Sequence, residues 1–356
     1  MSWKTHHSKG GAEVKKLQSV LKISDKNFAG LLMMLAAILL VIYFGKGDSF
    51  YTSRNLLSVA AQFPQFGIMS LGVMLAMILG GIDLSFVGLA NLATIVASLL
   101  LKSWIVSGET PQSQAALYIL LAVAVALVIG AAGGCLNGLL ISYIGIPPIL
   151  ATLGTQQLYT GLCIVITGGS AVSEVPKEFV QLASWRLFGV LPLPLIVFIL
   201  CALIVGLMMK RTAFGKKLYM LGTNPKAAVY SGLRDHRLTV TTFAISGVLA
   251  VIGGLLMVAR MGSAKADYGS SYVMQCILIV VLGGVDPNGG FGKTRDVILA
   301  ILILQAISSG LNMFPELSSY YKQLVWGAVL LLVMIVKFYA AKGSAKRQEK
   351  TSKKGG

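Results

Sequence analysis

The residues of this chain best suited to chemistry are one carboxylate and a scatter of amides set among long apolar runs. Asp83, in LGGIDLSFVG at Leu79–Gly88, is the only acidic residue placed at the edge of an apolar run long enough to enter a bilayer. An unpaired charge there is costly, so the carboxylate needs a role. As the N-cap of a helix starting near Leu84, it would take the amides of Phe86 and Val87. As a path residue, it would shape or line a polar route through the membrane. The cap is the favoured reading. Gln62, Gln65, Asn137, Gln305 and Asn312 complete the candidate path, with Gln156, Gln157 and Gln275 of the same type. Neutral amides hydrogen-bond polyol hydroxyls, and they also join helix to helix. Gln62 and Gln65 stand out because they flank Pro64, and a proline break inside a bundle must find polar partners or water.

Metal and redox chemistry find little support. Cys135, Cys163, Cys201 and Cys276 lie in apolar segments with no pair at metal-ligand spacing, and His6 and His7 lack a third ligand. No metal site is expected. GGFGKT at Gly289–Thr294 imitates a phosphate-binding loop, but the position where that pattern needs glycine is Pro287. No ATP site and no cofactor of its own are expected in this chain.

These groups are carried by elements whose solvent is lipid. Hydrophobic residues make up 56% of the chain and charged ones 12%, against about 25% charged in ordinary globular chains. At 1.5 Å per residue, about 20 residues cross the hydrocarbon core. The apolar runs on that criterion are Ala29–Phe44, Leu56–Leu79, Leu84–Leu101, Ala116–Ile144, Pro148–Thr167, Pro192–Met209, Thr239–Ala259, Tyr272–Leu282, Val297–Met313 and Leu324–Val336. The expected fold is an all-α integral membrane protein, a polytopic bundle of about ten transmembrane helices with broken or re-entrant segments. Tyr272–Leu282 is too short to cross alone: either it starts earlier, near Tyr268, or it is a half-helix packed inside the bundle.

Lysine and arginine set the orientation. They crowd the tail 1–28, the loop 210–238 and the tail 338–356, whereas the intervening loops are near charge balance. Six runs precede the loop at 210–238, so all three basic regions fall on one side, and both termini are expected in the cytoplasm. A net charge of +17 does not imply nucleic acid here, because the basic residues flank spans instead of forming a stripe with interleaved aromatics.

Two motifs punctuate the spans. LGGIDLSFVG at Leu79–Gly88 and LGGVDPNGGFG at Leu282–Gly292 each follow a run oriented from outside to inside. Gly-Gly lets the chain leave a helix and lets backbones approach closely. A different pattern is the basic island FGKKLYMLGTNPKAAVYSGL at Phe214–Leu233. Asn224 followed by Pro225 reads as an N-cap and first helical residue, Ala227 and Ala228 as a small surface for close docking, and Gly232 as a stop.

GGIDLS at Gly80–Ser85, the island at Phe214–Leu233, GSAKADYGSSYVMQCILIVVLGGVDPNGGFGK at Gly262–Lys293 and GLN at Gly310–Asn312 together resemble the permease subunit of ribose-type ABC importers, the class that includes monosaccharide and autoinducer-2 systems. The resemblance runs in order from about Asn55 to Val336. It implies a transmembrane permease domain at 29–337, no enzyme activity in this chain, and residence in the bacterial inner (plasma) membrane. It also implies a cytoplasmic ABC ATPase carrying ATP and Mg, a second permease copy or paralogue, and an extracytoplasmic solute-binding protein. Gly215, Asn224, Pro225, Ala227, Ala228 and Gly232 match its ATPase-coupling segment. The alternative is an ion-coupled secondary transporter, which would need ionisable groups near the midplane.

Overall fold

The computed structural model describes residues 27–45, 50–106 and 108–313, together with 324, 327, 328 and 331. Among them, eight helices are long and apolar enough to cross a membrane. α1 is Asn27–Gly45. α2 (Ser53–Gln62) and α3 (Pro64–Leu79) form one span, and α4 (Phe86–Trp104), α5 (Gln112–Ser142) and α6 (Pro148–Thr167) come next. A short helix α7 (Lys177–Ser184) and a hairpin of β1 (Arg186–Leu187) and β2 (Leu191–Pro192) precede α8 (Leu193–Arg211). Then come α9 (Ala213–Thr223), α10 (Pro225–Tyr230), α11 (Asp235–Met261), α12 (Tyr272–Leu282) and α13 (Thr294–Leu311).

The protein is therefore a polytopic all-α membrane bundle. Nine of the expected runs correspond to these helices within a few residues; Leu324–Val336 and the two basic tails fall almost wholly outside the described residues. Pro64 breaks its span as expected. It has no amide to donate, and the chain turns at Phe63, whose own N–H still reaches Val59 O at 3.3 Å.

α11 is the centre of the bundle, packed against α3, α4 and α5. Glycine makes this possible. Gly130, Gly134 and Gly138 of α5 face Val251, Phe243 and Val240 of α11 in antiparallel order, and a side chain at Gly134 would strike the Phe243 carbonyl. α3 is buried from Pro64 through Ile78. It runs parallel to α12: Phe66 meets the Tyr272 ring edge-on at 5.8 Å near their starts, and Ile78 O, in the last turn of α3, accepts at 2.8 Å from Gly290 N, beyond the end of α12. α12 is thus a half-length helix inside the bundle, its neighbours supplying the protein surroundings that a short segment requires. At the end of the bundle opposite α9 and α10, α7 sinks Phe179 into a second apolar cluster, and a bridge joins Val172 to Ala264.

Candidate coupling surface and polar hub

The basic island folds into two helices. Thr212 Oγ1 accepts from Gly215 N at 3.4 Å to start α9, and Asn224 Oδ1 accepts from Ala227 N at 3.1 Å to start α10, with Pro225 at its first position. Gly232 ends the segment in the left-handed region at φ +85°, which favours glycine. Gly215 packs α9 onto α8, because a side chain there would meet the Met209 backbone. Ala228 is buried, 3% exposed, which corrects the expectation that both alanines are offered outward. Ala227 is exposed. The outward surface also includes Val229 and Tyr230, the latter 91% exposed.

This pair of helices is fastened to both Gly-Gly motifs by backbone. A Cβ at Gly222 would collide with Ile78 O and Gly290 N, and one at Gly289 would stand 2.8 Å from Gly80 Cα. Two glycine-bearing turns and the last turn of α9 interlock where no side chain fits. Tyr219 adds a bond from its hydroxyl to Gly292 O at 2.7 Å. Burial, then the Asp296 carboxylate, pushes this phenol up to about 12, so it remains a neutral donor.

The second constellation surrounds Asp83, which is 2% exposed. Oδ1 accepts from Ser85 N at 3.0 Å and Ser85 Oγ at 2.8 Å, and Oδ2 accepts from Ser246 Oγ at 2.9 Å. Behind Ser85, Asn137 Nδ2 donates to its Oγ at 2.7 Å, and Thr155 Oγ1 donates to Asn137 Oδ1 at 2.6 Å. Ser85 and Ser246 thus direct their donors at the Asp83 carboxyl, and Asn137 and Thr155 extend the network behind them, with Thr155 Oγ1 also within reach of Ala151 O at 3.1 Å. The hub ties the turn before α4 to α5, α6 and α11. Ser85 holds the N-cap position of α4 without a side-chain cap bond; Asp83, two residues earlier, takes the Ser85 amide, interacts with the expected Phe86 amide, and reaches across to another helix.

Comparison with known proteins decides the family. A family model described as branched-chain amino acid transport system / permease component matches residues 55–334. The autoinducer 2 import system permease protein LsrD of Yersinia pseudotuberculosis serotype O:1b (strain IP 31758) is 33% identical over 312 residues, covering 85% of this chain and 90% of that relative. Its counterpart in Yersinia pestis (strain Pestoides F) is 32% identical over the same shares. The chain belongs to this permease family. No solved structure matches it. The permease is a multi-pass protein of the bacterial inner membrane and a transport component, not an enzyme.

The permease distributes the expected path residues unevenly. Asp83 and Asn137 meet in the hub. Gln65 is fully buried beneath the Pro64 break, its Oε1 accepting from Tyr272 Oη at 3.3 Å. Gln62 donates to Ser58 Oγ at 2.7 Å on its own helix. Gln305 is buried on α13, and Asn312 is exposed at that helix's end. The six amide and carboxylate side chains therefore do not form one lining. Ser85, Thr155 and Ser246 complete the hub and were missed, because hydroxyls in apolar helices commonly bond their own backbone and give no distinct signal. Asn91 was missed too; its Nδ2 donates to Ala266 O and Tyr268 O, each at 2.9 Å. Among the described residues, no three His, Cys, Asp or Glu side chains gather as a metal-ligating group.

Proposed function

We propose that this permease is the membrane-spanning subunit of an ABC importer that carries a monosaccharide or similar small polyhydroxylated solute, autoinducer-2-like compounds included, into the cytoplasm. ATP hydrolysis with Mg takes place on a partner ATPase. The carrying observation is the pair α9–α10. It exposes Ala227, Val229 and Tyr230 outward while its inner end is interlocked, backbone to backbone, with the turns after α3 and α12. A push on α10 then reaches both broken segments without passing through a flexible side chain. Because packed backbones are stiff, the bundle responds by switching between arrangements instead of deforming smoothly.

On this reading α9 and α10 face the cytoplasm, as do both termini. Asn224 and Pro225 set the start of the coupling helix, Gly215 and Ala228 seat it on the bundle, and Gly232 releases the chain from it. ATP-driven closure of the ATPases must favour one arrangement of the bundle over the other for the cycle to advance. The second permease copy finds support on α6. There Gln157 is exposed between Gly154 and Gly161, which have open space around them, on a face with Leu150, Leu153 and Leu158. Small residues with one amide form the usual contact between membrane helices. The solute-binding protein would meet α7 and the β1–β2 hairpin.

Purification of the tagged chain in mild detergent with mass spectrometry of its companions tests the reading. An ATP-binding-cassette subunit in stoichiometric amount is expected, and its loss with Tyr230→Glu. Uptake that proceeds without such a subunit and collapses when the ion gradient is dissipated would establish the secondary transporter instead.

A further inference from the structure

A groove of about 480 Å³ opens between the start of α9 and the start of α11, beside α10. Its lining combines two chemistries. Lys217, Arg234 and Arg237 supply three cations, and Phe214, Leu233 and Leu238 supply an apolar floor. No carboxylate lines it. Among the described residues no ion pair involves the three cations, and the nearest acid in sequence, Asp235, is turned to His236 at 3.8 Å.

The position of the groove narrows its occupant. It lies on the first two turns of the membrane-crossing helix α11. Within the groove Leu238 is buried and Phe214 and Leu233 are half-buried, so the apolar floor lies beneath the exposed Lys217, Arg234 and Arg237. A phosphodiester on the cations with glycerol and acyl carbons on the floor satisfies both halves of the lining, and basic pockets between spans at the cytoplasmic level are suited to such headgroups. A purely acidic protein segment would leave the apolar floor unmatched.

We infer that this groove binds the headgroup of an anionic phospholipid of the cytoplasmic leaflet. The inference rests on the cytoplasmic placement proposed for α9 and α10. Bound there, the lipid bridges α9 to α11 and steadies the base from which α10 projects.

The test uses the purified full chain, without an ATPase, in micelles holding equal phosphatidylglycerol and phosphatidylcholine. Lipid retained through stepwise delipidation is measured by native mass spectrometry. The wild type is expected to keep phosphatidylglycerol in preference. Lys217→Gln with Arg234→Gln and Arg237→Gln should lower its retention about tenfold or more, whereas Lys210→Gln with Arg211→Gln, basic but outside the groove, should not. Arg237→Lys alone, which keeps the charge, guards against a folding artefact and should retain the lipid. Equal loss in the groove and control variants would overturn the proposal in favour of diffuse attraction, and unchanged preference in the groove variant would overturn it outright. Displacement of the lipid by inorganic phosphate at equal charge would show a free-anion site and also overturn it. A groove variant that keeps its lipid but no longer co-purifies the ATPase would give the groove to acidic residues of that partner. Because lipid retention is read without the ATPase, its failure leaves the importer reading standing, and that reading fails separately by co-purification.

Discussion

The two Gly-Gly-x-Asp turns begin alike and end in different jobs. After α3, Asp83 is buried and collects Ser85 and Ser246, with Asn137 and Thr155 behind them. After α12, Asp286 is half-buried and closes its own loop, accepting from Asn288 N at 2.9 Å and Asn288 Nδ2 at 3.1 Å. The glycines let both helices stop at the same end of the bundle. The residues beyond each aspartate decide the use of the turn: a serine two residues on and a neighbour helix make the first a hub, whereas Pro287, Asn288 and two more glycines make the second a clasp on α9. A shared motif fixes how the chain leaves a helix, and the packing around it fixes what the carboxylate does.

Breaking the hub should cost most. Asp83→Ala removes the acceptor for Ser85 and Ser246 and leaves their buried donors unpaired, and a destabilisation of about 1–3 kcal/mol for each orphaned group is expected; thermal unfolding in detergent measures it. Asp83→Asn, which keeps acceptor capacity at one oxygen, should recover part of the loss. Breaking the clasp comes next. Gly290→Ala would press on Thr223, with the Cβ 2.7 Å from its Cα at a φ of +78°, for about 1–3 kcal/mol in the same assay. Tyr219→Phe removes the bond to Gly292 and should cost about 1 kcal/mol. Asp286→Ala sharpens the comparison from the other side: its partners are solvent-accessible, so about 0.5 kcal/mol or less is expected. If Asp286→Ala matched Asp83→Ala, the two turns would have to be read as one device.

Much of the fold was legible because lipid leaves few choices. Run lengths marked the spans, Pro64 marked the break, and Asn224-Pro225 marked a helix start. Hydropathy did not say which runs are central. Ser53–Leu79 has 89% of its most apolar window buried and Gln112–Ser142 only 22%, although the second is the more hydrophobic. Glycine spacing marks instead which faces meet, as Gly130, Gly134 and Gly138 of α5 do against α11, since close backbone approach is what draws membrane helices together. The hub was half legible. Asp83 and Asn137 are rare types in apolar runs, but Ser246 lies 163 positions from Asp83, and no local pattern joins them. Ala228 misled because a small residue serves equally to let a partner approach and to let its own helix settle into the bundle.

Gly222→Ala, in vesicles holding the permease with its ATPase and binding protein, tests the central claim most directly when ATP hydrolysis and solute uptake are measured together. The Cβ would wedge the interlock of α9 with Ile78 and Gly290 while leaving the Tyr230 face untouched. Hydrolysis that persists while uptake falls about tenfold or more is predicted, since a misplacement on the order of 1 Å in a packed contact is enough for a loss of that size. Uptake that continues in step with hydrolysis would show that force does not pass through the glycine interlock.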